Sequence, residues 1–233
     1  MKGVFVIYLL NLDLQSSSQI NIIFIKPYMA GPHAHDDNGQ HDVKPTDAPT
    51  AGIGLYFGTQ TGKTEVVCGI IKEEFGDSIT DAIDVAEGDL EHFPNLNGLI
   101  CGIPTWNTGA IELRSGTIWD ELLEKIGELD LKGKPVAIFG LGDAVGYGED
   151  FVDAMEELHR FFEKAGAKMI GYVPLDGYNF VSSRCLIPHL NEITEPENGE
   201  KFCGLPVDED SEGELTEERV KNWCTQVKSE MGL

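Results

Sequence analysis

The stretch Gly58-Thr59-Gln60-Thr61-Gly62-Lys63-Thr64 sets three hydroxyls, an amide and an ammonium between an apolar run and a helical pattern. Where a strand gives way to a helix, unpaired backbone N–H groups point out of the turn and attract anions. With hydroxyls beside them, the chemistry on offer is the gripping of a phosphate. A nucleotide-hydrolase loop needs four residues between its first glycine and the Gly-Lys pair. Phe57 stands where that glycine belongs, and Gly58 comes one residue late. The tighter spacing suits a single phosphate monoester better than a triphosphate with magnesium. Taken alone, the stretch also reads as an ordinary turn with threonine caps.

Two further loops carry related chemistry. Pro104-Thr105-Trp106-Asn107-Thr108-Gly109 follows the apolar run ending at Ile103. An indole at the tip of such a loop offers a flat apolar face to a ring system. Gly140-Leu141-Gly142-Asp143-Ala144-Val145-Gly146-Tyr147-Gly148 follows Phe139 and combines a carboxylate, a second aromatic and glycines that allow close backbone approach. Either aromatic by itself would be read as packing. A hydroxyl-rich end, a polar middle and two aromatic plates together describe a site for a mononucleotide with a large planar ring.

These loops need a frame that brings them to one edge. Ile53 to Phe57, Gly98 to Ile103, Pro135 to Phe139 and Lys168 to Val173 are largely consecutive apolar runs, as in strands covered on both faces in a parallel sheet. A weaker strand is expected near Ala82 to Val85. Thr64 to Phe75 puts Val67, Ile70, Ile71 and Phe75 on one helical face. Phe151 to Ala165 does the same with Met155, Leu158, Phe161 and Phe162, and Thr216 to Met231 closes the chain on a helix with an acidic first turn. Alternating strands and helices predict a layered α/β sheet with right-handed crossovers. Ligand crevices in such sheets lie at the carboxyl ends of the strands, where all three loops fall.

The chain of 233 residues has 41% hydrophobic and 24% charged residues, enough apolar material for a core. Its 17 Lys and Arg against 40 Asp and Glu give a net charge of −23, which repels phosphate backbones and anionic lipid and favours basic partners. Five scattered cysteines (Cys68, Cys101, Cys185, Cys203, Cys224), with no C-x-x-C pair, read as reduced thiols. His92, His159 and His189 are scattered and suggest no catalytic triad.

The first fifty residues differ in kind. Val4 to Leu10 and Ile20 to Ile25 are apolar but too short to cross a bilayer, so no stable membrane insertion is expected. Lys2 before an apolar run resembles the start of a targeting sequence, though no clean cleavage site follows. Gly31 to Thr50 reads as a flexible linker, and His33, His35 and His41 beside Asp36 and Asp37 as solvated linker residues rather than a metal site. The expected division is an extension over 1–50 and one domain over 51–233.

That domain resembles the long-chain flavodoxins, most closely the algal-type branch of eukaryotic phototrophs. The motifs carrying the resemblance occur in family order: GTQTGKT, PTWN, FGLGDAVGY, the Asp176-Gly177-Tyr178 turn and the tail from Leu215 to Leu233. The resemblance implies a flavodoxin-like three-layer sandwich with a five-stranded parallel sheet in order 2-1-3-4-5, its last strand interrupted by the long-chain insertion. It implies FMN at the switch point of that sheet. By motif, Thr59, Gln60, Thr61, Gly62, Lys63 and Thr64 match the phosphate loop, held through amides and hydroxyls more than through the lysine. Pro104, Thr105, Trp106, Asn107, Thr108 and Gly109 match the loop on the inner ring face. Leu141, Gly142, Asp143 and Tyr147 match the outer-face loop, with Asp150 beyond them at the same site, and Asp210 matches a more distant acidic position near the ribityl chain.

The implied function is that of a low-potential one-electron carrier, not an enzyme. It would shuttle between semiquinone and hydroquinone and replace ferredoxin between photosystem I and ferredoxin-NADP reductase. A monomer in the plastid stroma is expected, with a cytoplasmic copy as the alternative. The alternative activity is that of a flavodoxin-like NAD(P)H:quinone oxidoreductase. Asp150 and Val152 depart from the family pattern, standing where others carry amides, and three further features do so. Thr108 follows Asn107, so the freely turning Asn-Gly pair is missing; Leu141 replaces a threonine of some relatives; and Pro188 to Pro196 enlarges the insertion, after which the last strand is expected to resume near Lys201 to Gly204.

Overall fold

The structure, a computed structural model, describes residues 52–193, 196, 197 and 199–233. The extension over 1–50, with its apolar runs and histidine-bearing linker, lies outside the described residues. The elements in chain order are β1 (Ile53–Phe57), α1 (Lys63–Phe75), β2 (Ile79–Asp84), β3 (Gly98–Pro104), α2 (Trp119–Gly127), β4 (Pro135–Leu141), α3 (Ala154–Lys164), β5 (Lys168–Ile170), β6 (Val173–Pro174), β7 (Leu186–Ile187), β8 (Lys201–Phe202), β9 (Leu205–Val207) and α4 (Gly213–Met231). The main sheet runs β2-β1-β3-β4-β5 with every pairing parallel, and β9 also pairs with β4. This is the order that the resemblance implied.

Alternation along each strand feeds two cores. Leu55 and Phe57 of β1, Ile100 of β3 and Phe139 of β4 pack with Val67, Ile71 and Phe75 of α1 and Val220, Trp223 and Val227 of α4. Tyr56, Leu99, Val136 and Ile138 point the other way, onto Trp119, Leu123 and Ile126 of α2 and Met155, Leu158 and Phe162 of α3. Covering both faces of the sheet explains why its central strands read as unbroken apolar runs.

Three boundaries differ from the sequence expectation. The helix at α2 is an addition to the sequence expectation: Trp119, Leu122, Leu123 and Ile126 do stand at helical spacing, but over only nine positions. The chain from Phe151 is not yet helical: Val152 adopts a φ of +54°, and α3 begins at Ala154. The last strand also divides differently. β5 stops at Ile170, since Gly171 takes a φ of +80° and the chain leaves the sheet. Lys201–Phe202 joins β6 and β7 in a small antiparallel sheet, where the Phe202 ring packs on Phe151, Tyr178 and Phe180. The return to the main sheet is at Leu205, beside Phe139 of β4.

Candidate functional site

The strands β1, β3 and β4 end nearly level, with Phe57 opposite Gly102 and Pro104 opposite Leu141. The loops that follow them therefore converge on a cleft of about 520 Å³. Thr59, Gln60, Thr61, Lys63 and Thr64 line it from the first loop, and Pro104, Thr105, Trp106 and Thr108 from the second. Leu141, Gly142, Asp143, Tyr147 and Asp150 line it from the third, and Asp210 reaches it from the segment after β9. Its size is that of a small-molecule site.

One end of the cleft is the start of α1. Gly62 is its N-cap, in a left-handed conformation, and no side chain caps the first turn. Amides left free at a helix N-terminus are a ready anion site. The Gly62 N–H is taken by Thr59 Oγ1 at 2.9 Å, which folds the loop into a tight bowl. Lys63 turns aside to pair with the Asp210 carboxylate.

Trp106 forms one wall and is 57% exposed. Its N–H and that of Asn107 both donate to the Arg114 carbonyl at 3.0 Å. The Thr105 N–H donates to Leu141 O at 2.8 Å, and Thr105 Oγ1 accepts from the Ala154 N–H at 3.1 Å. Gly116, at a φ of +62°, lies beneath the indole; a β-carbon there would stand 3.1 Å from Trp106 Cβ. The Gln60 amide donates to Gly116 O, tying the first loop to the second. Asp120 closes the far end, accepting from the Ser115 hydroxyl at 2.5 Å and the Gly116 N–H at 2.8 Å.

Tyr147 forms the other wall and is 56% exposed. Its N–H donates to Asp143 O at 2.9 Å. The Asp143 carboxylate accepts from the Gly146 N–H at 2.7 Å, the Ser211 hydroxyl at 3.1 Å and the Val145 N–H at 3.0 Å. These donors, with Lys63 nearby, hold its carboxyl below the usual carboxylate range, so the cleft carries a fixed negative charge. Behind it the buried Asp208 accepts from the N–H groups of Ala144, Asp210 and Ser211, joining the third loop to the segment after β9.

Of the residues expected at the site, Gly62, Asn107 and Gly109 do not line the cleft. Gly62 is used up as the cap, Asn107 turns its amide to Leu113 O at 2.8 Å, and Gly109 makes a left-handed turn at a φ of +75°. Conversely, Arg114, Gly116, Asp120 and Asp208 support the walls without having stood out in the sequence.

The family described as Flavodoxin matches residues 55–223. The chain belongs to the flavodoxin family. It is 42% identical over 181 residues to the flavodoxin of Nostoc sp., covering 78% of this chain and 98% of that one. It is 36% identical to the flavodoxin of Klebsiella pneumoniae over 78% of this chain and 95% of the relative. Among solved structures, Fusobacterium nucleatum flavodoxin bound to flavin mononucleotide superimposes with a TM-score of 0.65 at 30% identity, covering 77% of this chain and 98% of the other. Flavodoxins are electron-transfer proteins rather than enzymes.

Proposed function

We propose that this flavodoxin-family chain holds FMN non-covalently in the cleft and carries single electrons at low potential. In the finer reading it is an algal-type member acting as a monomer in the plastid stroma. There it replaces ferredoxin between photosystem I and ferredoxin-NADP reductase. The observation that carries the proposal is the pair of large aromatic side chains, each more than half exposed, flanking one cleft that ends at an uncapped helix N-terminus.

The donor set fits the ligand. The first-turn amides of α1, with the hydroxyls of Thr59, Thr61 and Thr64, would hold the phosphate. Trp106 and Tyr147 would cover the ring, and Asp143 and Asp210 border the polar middle. When bound, FMN supplies the one-electron chemistry. The chain's part is electrostatic. Ionised Asp143 and a net charge of −23 disfavour a further negative charge in the cleft, which makes the reduced form strongly donating. The same field draws basic partners toward the exposed edge.

The test is the absorbance spectrum of the purified protein with its extracted cofactor identified. A flavin spectrum and one FMN per chain are expected. Colourless protein that fails to take up FMN on reconstitution would end the proposal, and sustained NADPH-quinone turnover would replace it with the oxidoreductase reading.

A further inference from the structure

We infer that Arg114 is the positioning residue of this site: a buried ion cluster on α3 holds it, and its main chain fixes the Trp106–Asn107 wall, thereby setting FMN affinity and midpoint potential. The inference rests on the FMN reading above.

Arg114 is 1% exposed although it sits in a loop. Its guanidinium pairs with Glu156, and its Nε lies 3.4 Å from Glu157 Oε2. Both glutamates are buried on α3. Glu157 grips the main chain as well, accepting from the Leu113 N–H at 2.7 Å and the Arg114 N–H at 2.9 Å. Leu113 is held there at a φ of +59°, a conformation its β-carbon disfavours. Side chain and main chain are thus clamped by the same pair of carboxylates.

The clamp is transmitted directly to the cleft. The Arg114 carbonyl takes the N–H groups of Trp106 and Asn107, and the Leu113 carbonyl takes the Asn107 amide. The loop from Trp106 to Arg114 is therefore closed on itself at its base, with Thr108 projecting into the cleft. No glycine directly follows Asn107, and the base of the wall is tied to the Arg114 main chain.

Stability alone does not account for such a cluster. A buried ion pair contributes little over well-packed apolar side chains of like volume. Among the described residues, Nε and Nη1 of Arg114 even lack a hydrogen-bond partner. What a planar, permanently charged fork between two carboxylates provides is a single geometry. A ligand wall needs that kind of support to hold a stacked ring in one place.

The test compares holoproteins. Arg114→Met/Glu157→Gln removes two opposite charges together, while Glu156 keeps Arg160, whose Nε lies 3.0 Å away. FMN affinity is read from fluorescence on dilution, and both one-electron midpoints by spectroelectrochemistry. The double variant is expected to bind FMN at least tenfold more weakly. Its midpoints should shift, a tenfold difference between redox states being about 59 mV. Arg114→Lys should recover part of both. Arg160→Gln, which touches Glu156 from the solvent side, should lower the melting temperature and leave the potentials alone. A double variant that melts earlier yet keeps wild-type affinity and potentials would overturn the inference. Should it not fold, hydrogen exchange on the wild type decides: the Trp106 and Asn107 amides must be protected as strongly as α3, and fast exchange overturns the clamp. A wild type that takes up no FMN sinks the functional reading instead, and the exchange measurement still judges the clamp.

Discussion

Trp106 and Tyr147 leave more than half of their surface in solvent, an expensive placement for two large aromatics that have no core to serve. Stacking a flat ring on such a side chain contributes about 1–3 kcal/mol by the measure of alanine replacement. Trp106→Ala and Tyr147→Ala should therefore each weaken FMN binding by about 5- to 150-fold, as read in a fluorescence titration. Unchanged affinity in both would show that no ring lies between them. The five cysteines make a second residue-scale case. All are buried, and burial pushes the Cys224 thiol up to about 12 and raises Cys68, Cys101 and Cys185 well above their ordinary range. The folded protein should resist alkylation by iodoacetamide at pH 8 and react fully in urea, counted by mass. The cleft-lining residues were legible in the sequence because hydroxyls, an indole and a carboxylate after strands are unusual in themselves. Arg114 was not. Its meaning lies in Glu156 and Glu157, more than forty positions away, and no local pattern records that meeting.

At the scale of elements, α3 and the residue that precedes it carry groups that answer to pH in opposite directions. His159 is buried with Nε2 2.9 Å from the Tyr172 hydroxyl, and burial lowers it to about 4 from 6.5. Its neutral form is favoured by the fold, so its contribution is complete above pH 6.5 and is lost as the pH falls through 4. The full loss is about 3 kcal/mol. Asp153 is raised to about 6, chiefly by burial, so its contribution is present below pH 3.8 and is lost as the pH rises through 6. His159→Phe should therefore lose less stability than the wild type between pH 7 and pH 4, measured by urea midpoint. Parallel pH curves would refute it. A second element-scale prediction concerns the entry to β9. A β-carbon on Gly204 would stand 2.3 Å from the Ile138 carbonyl oxygen of β4. Gly204→Ala should cost about 1–3 kcal/mol in urea unfolding, since backbone rather than a pliant side chain must give way. This approach also explains why the sequence misled on the last strand. Lys201 to Gly204 looks like a strand, but the small sheet takes Phe202 and only Leu205 onward meets β4. The central strands were plain because both their faces are covered. The nine-residue α2 was hidden by its brevity.

For the whole molecule the dominant quantity is a net charge of −23. In the proposed role, encounter with a basic reductase is steered by that field, and long-range steering is screened within about 10 Å at 0.1 M salt. Second-order transfer rates to ferredoxin-NADP reductase, followed by stopped flow, should drop by about an order of magnitude or more between low and moderate ionic strength. A flat salt series would show that docking does not depend on the field. The topology has a consequence of its own. β5 and β9 lie along the same flank of β4, one beside Val136 and the other beside Phe139, although 34 residues separate Ile170 from Leu205. Everything between is a detour that departs and rejoins within a few ångströms of one rail. Doubling a closed ring of chain costs only about 0.6 kcal/mol. The detour is thus a cheap place for descendants of this molecule to grow, shrink or acquire a new accessory, so long as Val181 and Ser182 keep their N–H groups on the Gly148 carbonyl next to Tyr147.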